Sequence, residues 1–232
     1  MRLDKLLGRM GMGTRSQIKT YIRQGLVTVN GQVEKSADRH VDELSDRIAL
    51  RGQTFRYVAE RYYMLNKPAG VVSATRDNTA GTVVGLLESR DRSGVFPVGR
   101  LDKDTEGLLL LTNDGELAHR LLAPKRHVDK TYLVALEYPL SKEDVARLEQ
   151  GVDIGEERIT LPAKVRMVDP QTIFLTIHEG KFHQIKRMLR AVDNQVTALK
   201  RISFAGIELD ENLKPGEYRE LTEQEVAMLH EA

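Results

Sequence analysis

Gly99-Arg100-Leu101-Asp102-Lys103-Asp104-Thr105-Glu106-Gly107 runs directly into Leu108-Leu109-Leu110-Leu111, and this stretch decides the fold. A loop dense in charge and bracketed by glycines leads into an apolar run. That run is far too short to cross a membrane but long enough for a buried strand. The pattern predicts a strand over 95–101, a polar loop, and a second strand over 107–112. Asp102 has two readings. Aspartate is an ordinary loop residue and can simply form the turn. It can also be a carboxylate held at a strand end by a rigid scaffold, with Arg100 and Lys103 nearby to keep it ionised, as a nucleophile requires.

Working outward, Asn66-Lys67-Pro68-Ala69-Gly70 reads as a turn closing a strand over 62–65. Downstream, Lys125-Arg126-His127-Val128-Asp129-Lys130-Thr131-Tyr132 is a basic loop entering a strand over 131–137. Tyr132 either packs there, as tyrosines in strands do, or stacks on an unpaired base. Further strands are expected over 163–168 and 172–178, and helices over 82–88, 115–122, 141–150, 183–192 and 222–230. The helix over 183–192 has an apolar stripe of Ile185, Met188, Leu189 and Val192 and a basic face of Lys186, Arg187 and Arg190. Lys200-Arg201 follows in the next strand, so two basic elements can meet around phosphates. Strands and helices do not alternate regularly, and no G-x-G-x-x-G opens a helix. A doubly wound nucleotide-binding sheet is therefore not expected.

The near-neutral charge of +1 argues against a nucleic-acid partner until it is placed along the chain. Residues 1–58 hold 11 Lys/Arg against 6 Asp/Glu, a net +5, whereas the remaining 174 hold 24 against 28, a net −4. A compact basic module thus precedes a larger, mildly acidic one. The module reads as two helices and a hairpin. Leu3, Leu6, Leu7 and Met10 have helical spacing. Ser16 is the expected N-cap of a second helix, whose Arg15, Lys19 and Arg23 line its outer face while Ile18 and Ile22 turn inward. Val27-Thr28-Val29-Asn30-Gly31 gives a tight hairpin, Arg47–Leu50 one more strand, and residues 52–61 a linker. The domains are accordingly expected at 1–58 and 59–232.

Composition narrows the chemistry. With no cysteine there is neither a disulfide framework nor a thiolate metal site. The six histidines show no metal-ligand spacing, and neither G-x-S-x-G nor a phosphate loop ending in G-K-[ST] is present. An N-terminus without an apolar stretch and a chain without a span-length apolar run point to the cytoplasm, away from membranes.

Two resemblances sharpen this picture. The string Arg15-Ser16 … Ile18-Lys19 … Ile22 … Gly25-Leu26-Val27-Thr28-Val29-Asn30-Gly31 resembles the alpha-L RNA-binding module of a small-subunit ribosomal protein. The whole set of segments, through Lys214-Pro215-Gly216-Glu217-Tyr218-Arg219, resembles the RsuA-type ribosomal RNA pseudouridine synthases. That resemblance implies an α+β fold whose catalytic domain is built on a long mixed, mainly antiparallel sheet with flanking helices. It places the essential aspartate at Asp102, the family's tyrosine at Tyr132, and its basic residue at Lys186, where the wider superfamily carries arginine. Tyr132 would stack on the target uracil and Lys186 would pair with Asp102. RNA contacts are expected from Arg2, Arg15, Ser16, Lys19 and Arg23 on the small module. Lys67, Arg100, Lys130, His183, Arg187 and Arg201 are expected to make them on the large domain, where Gly99 and Gly107 would let the RNA backbone approach.

The implied reaction detaches uracil from ribose carbon 1 and rejoins it through carbon 5, needing no cofactor and no metal. The target uridine would be flipped out of its helix. The expected partner is small-subunit (16S) ribosomal RNA, or an assembling small subunit, met by a monomer. Two alternatives remain: a synthase acting on large-subunit or transfer RNA, and a ribosome-associated RNA-binding protein without catalysis.

Overall fold

A computed structural model describes residues 1–43, 45–55 and 60–232, and the chain forms two compact units. One comprises Met1–Arg61 with Leu87–Val95, the other Tyr62–Leu86 with Phe96–Ala232. The expected domain boundary at 58/59 lies outside the described residues. The return of Leu87–Val95 to the N-terminal unit is not legible in the charge pattern. Within that unit Arg61 Nη1 donates to Arg90 O at 2.7 Å and Ser93 Oγ to Gly8 O at 3.2 Å.

The N-terminal unit holds helices α1 (Leu3–Arg9) and α2 (Arg15–Arg23) and strands β1 (Val27–Val29), β2 (Gln32–Val33), β3 (Ile48–Leu50) and β4 (Gln53–Phe55), in sheet order β2-β1-β3-β4. Leu3, Leu6, Leu7, Ile18 and Ile22 are fully buried against Val27 and Val29. The cap of α2 is Thr14 rather than Ser16. Thr14 accepts from Gln17 N at 3.3 Å while Gln17 Oε1 accepts from Thr14 N at 2.9 Å, a reciprocal box that fixes the helix start. The expected linker over 52–61 contains β4, because Arg51 and Gly52, both at positive φ, make a two-residue hairpin turn where the pattern breaks.

The larger unit is a nine-stranded sheet. Its strands are β5 (Tyr62–Lys67), β6 (Phe96–Pro97), β7 (Glu106–Thr112), β8 (Lys130–Leu136), β9 (Lys164–Asp169), β10 (Thr172–Ile177), β11 (Val196–Phe204), β12 (Ile207–Glu208) and β13 (Tyr218–Glu220). The order is β13-β5-β7-β11-β8-β10-β9, with β6 beside β7 and β12 beside β11. All pairings are antiparallel except β7 with β11, which is the mixed, mainly antiparallel sheet of the α+β expectation. Leu108 to Leu111 are buried because β7 is covered on both faces.

Helices α3 (Gly115–Leu122), α4 (Lys142–Gln150), α5 (Gln184–Arg190) and α6 (Glu223–Glu231) complete the unit. Leu117 and Leu121 of α3 and Leu229 of α6 join Leu108, Leu110 and Phe204 in the core. Two expectations shrink. The strand over 95–101 is reduced to Phe96–Pro97, since Gly99 at φ 78° turns the chain into the charged loop. The helix over 82–88 is a single 3-10 turn, Val84–Leu86, interrupted by Gly85 and begun by paired β-branched residues. Among the described residues no helix is long and apolar enough to cross a membrane.

Candidate active site

The charged loop before β7 is fastened from below by a buried lysine. Lys67, the last residue of β5, is 0% exposed. Its Nζ donates to the carbonyls of Pro68 at 3.1 Å, Lys103 at 3.3 Å and Thr105 at 2.7 Å. Burial pushes its ammonium down to about 8 against the opposing pull of Asp104, Asp102 and Glu106. Ser73 adds a second clasp, donating through Oγ to Leu101 O at 2.8 Å and accepting from Leu101 N at 3.0 Å. Asp102 is thus flanked by anchors at 101, 103 and 105. Lys67 leaves the RNA-contact set: an ammonium sealed beneath the loop with three carbonyl acceptors cannot reach a phosphate.

Facing the loop is the start of α5. Ile185, Met188 and Leu189 bury one side of the helix, which turns Lys186 outward. Lys186 Nζ lies 3.3 Å from Asp102 Oδ2 and 2.6 Å from Asp104 Oδ1, so it bridges two carboxylates. The Lys186 hydrogen bond holds the Asp104 carboxyl below the usual range. Asp104 is the half of this bridge that the sequence reading does not single out. His183 brings Nε2 to 3.6 Å from Asp102 Oδ1. It adopts a left-handed backbone (φ 47°) at the entrance to α5, a conformation a non-glycine residue holds only when its surroundings impose it. Buried Gln184 does so by accepting from Lys181 N and donating to Glu179 Oε1, both at 2.9 Å.

The floor comes from β8 and β11. Tyr132 and Arg201 are register partners, so their side chains stand on the same face of the sheet. Both are buried. Lys130 donates to Val128 O at 2.7 Å, and burial, reinforced by the charge of Arg201, pushes it down to about 8. A cavity of about 430 Å³ is walled by Asp102, Tyr132, Lys186, His183, Arg201 and Lys130, within the size range of small-ligand sites. The sequence-predicted trio of Asp102, Tyr132 and Lys186 therefore shares one cavity, and exposed Arg100 stands in its wall.

Gly107 serves another purpose than the expected approach of RNA. At φ 97°, a Cβ there would lie 2.2 Å from Arg201 O, so glycine is what lets β7 and β11 pair. At Gly99 the nearest neighbour is Leu122 Cδ2, 3.0 Å from an added Cβ, again protein rather than open space. Arg187 is also committed to the protein. Its guanidinium bonds Glu156 at 2.7 Å, Phe182 O at 3.1 Å and Ile154 O. Phe182 escapes sequence reading although it lines the cavity: it is 66% exposed and its ring stacks on His183 at 3.8 Å. The signal was available in an aromatic between two basic residues.

In the N-terminal unit, Arg2, Lys19 and Arg23 line one depression with Ala37 and Asp38, while Arg15 and Ser16 are exposed beside them in sequence on α2. Arg2 also chelates Asp4, at 3.0 and 2.8 Å.

A carboxylate, an ammonium and a buried tyrosine thus line one cavity of the larger unit, and a basic module precedes that unit in the chain. The chain belongs to the RNA pseudouridylate synthase family: that family's model matches residues 61–191, and the S4 domain model matches residues 1–48. It is 49% identical over 236 residues to an uncharacterized RNA pseudouridine synthase of Bacillus subtilis (strain 168), covering 100% of this chain and 99% of that one. To the ribosomal small subunit pseudouridine synthase A of Yersinia pestis it is 41% identical over 229 residues, covering 98% and 97%. A crystal structure of a pseudouridylate synthase matches with a TM-score of 0.71 at 38% identity, covering 99% of each chain.

Proposed function

We propose that this enzyme isomerises a uridine of small-subunit (16S) ribosomal RNA to pseudouridine, with Asp102 as its essential carboxylate. The observation that carries the reading is the convergence of Asp102, Tyr132 and Lys186 on one 430 Å³ cavity. The small-subunit target is favoured by the full-length relationship to the Yersinia pestis synthase.

In this reading the target uridine leaves its helix and enters the cavity base first. Lys186, 3.3 Å away, holds the Asp102 carboxylate in place. Asp102 then engages the ribose or the base as the bond from ribose C1′ to uracil N1 breaks. Tyr132 supports the freed ring, which turns until C5 faces C1′. The new C1′–C5 bond forms, the C5 proton leaves and N1 gains one, so the formula is unchanged. Arg100 and His183 approach the RNA at the cavity mouth, and Arg2, Arg15, Ser16, Lys19 and Arg23 hold its backbone from the S4 domain. We take the domains as 1–58 and 59–232, the working form as a cytoplasmic monomer, and the substrate as ribosomal RNA, free or in an assembling small subunit.

Mapping pseudouridines in ribosomal RNA from cells with and without the protein tests the target: one small-subunit site should disappear. Asp102→Asn should abolish turnover while RNA affinity stays within about threefold, because the carboxylate acts on the reacting atoms rather than on phosphates. Normal turnover by that variant rules out the assigned role.

A further inference from the structure

The fold leaves one apolar ring in the open beside the Asp102 carboxylate. An exposed phenylalanine is unexceptional by itself, but Phe182 is 66% exposed and lines the cavity that holds Asp102. Its ring stacks on the imidazole of His183, with centroids 3.8 Å apart and planes 21° from parallel. His183 in turn brings Nε2 to 3.6 Å from Asp102 Oδ1, so a single imidazole separates the phenyl ring from the carboxylate. The turn that carries both rings is fastened at several points. Lys181 N donates to Gln184 Oε1 at 2.9 Å and Gln184 N to Lys181 O at 3.2 Å. Arg187 Nη1 donates to Phe182 O at 3.1 Å, and Gln184 Nε2 to Glu179 Oε1 at 2.9 Å. The backbone of Phe182 is therefore fixed. Its ring has a stacked neighbour on one face, and among the described residues no second ring stacks on it.

A flat apolar ring, already ordered and open to solvent, matches the chemistry of a nucleobase. Every base has a π-face, and stacking takes that face and the ring out of water together. A uridine that leaves its helix deprives each neighbour of a stacking partner, which is part of what extrusion costs. We propose that Phe182 receives the base of a nucleotide next to the target uridine, replacing the stacking contact which that neighbour loses while the target occupies the cavity. This inference rests on the functional reading above and names a contact outside the target uridine itself. His183 backs the platform, so the ring has less rotamer freedom to lose when RNA arrives. Stacking is tolerant of base identity. The contact therefore holds the extruded state without reading sequence.

The experiment uses the full chain and a small-subunit RNA transcript tritiated at uridine C5, whose label is released when C5 bonds to ribose. Assembling the transcript by ligation allows either neighbour of the mapped target to be made abasic. Phe182→Ala removes a mostly exposed ring, so its thermal midpoint should stay within about 2 °C of the wild type. On the intact transcript its kcat/KM should fall about tenfold to a hundredfold. Phe182→Tyr keeps the ring and should stay within about threefold of the wild type. The deciding comparison joins protein and RNA changes. With one particular neighbour abasic, the wild type should lose a similar factor, and Phe182→Ala should then cost no more than about twofold further. A Phe182→Ala loss of the same size on the intact transcript and on both abasic ones means that the ring only props His183, and the proposal falls. It falls equally if Phe182→Ala stays within about twofold of the wild type on the intact transcript. Active wild type with either of these results defeats this inference alone. Wild type inactive on the intact transcript defeats the functional reading and this proposal with it.

Discussion

At the scale of single residues, the site is governed by where charge is buried. Lys67 and Lys130 both titrate near 8 in the folded protein because burial penalises their charged forms. A lysine whose folded value lies below its unfolded value of 10.5 binds fewer protons when folded than when unfolded over the interval between the two. Its penalty is therefore complete below about pH 8 and is relieved as pH rises towards 10.5. Lys130→Met removes one such penalty, so the thermal midpoint of the wild type should climb relative to this variant between pH 8 and 10. Parallel profiles would mean that Lys130 is not desolvated in solution. Lys67 differs in that its three carbonyl acceptors hold the Asp102 loop. Replacing it should disturb turnover through loop geometry rather than through lost RNA contact.

At the scale of elements, the parallel pairing of β7 with β11 is what ties the charged loop to the cavity floor. It survives only because residue 107 lacks a side chain. Gly107→Ala would place Cβ 2.2 Å from Arg201 O and force a strained φ. A destabilisation of about 3–5 kcal/mol is expected, read as a lower denaturation midpoint at unchanged slope. At the start of α5, Phe182→Trp introduces the protein's only tryptophan on an exposed ring beside the cavity. Its emission should change when RNA is added, if that ring meets nucleotides as its stacking on His183 at the cavity wall implies. These elements also mark the limits of the sequence. Leu108–Leu111 announced a strand because burial on both faces leaves an unbroken apolar run. Helices α3, α4 and α6 lie on the expected spans 115–122, 141–150 and 222–230, and the structure starts them at the N-caps Asp114, Ser141 and Thr222. The span of β11 was not, since Lys200 and Arg201 interrupt its apolar pattern for the sake of the cavity. Lys67, placed among the RNA contacts by the resemblance, was not legible as a buried residue. The acceptors at Lys103 and Thr105 that bury it lie 36 and 38 residues away.

At the scale of the whole molecule, the proposed function assigns the holding of RNA to the basic module and the reaction to the larger domain. The segment 1–58 carries +5 and the remainder −4, and Arg2, Lys19 and Arg23 gather in one depression of the S4 unit. Backbone contacts of this kind release counterions, so each phosphate neutralised adds about one unit to the steepness with which affinity falls with salt. The double change Lys19→Gln with Arg23→Gln removes two exposed charges from α2 without touching Ile18 or Ile22, its buried residues, so the unit should stay folded. The plot of log affinity against log salt should flatten by about 2, and binding should weaken alike for target RNA and for an RNA lacking the target uridine. At saturating enzyme the single-turnover rate should remain within about twofold, because the reacting cavity draws only on residues of the larger unit. A rate loss that persists at saturation, with an unchanged salt slope, would mean that α2 acts on the chemistry rather than on the backbone. The separation of roles inferred from the charge pattern would then fail.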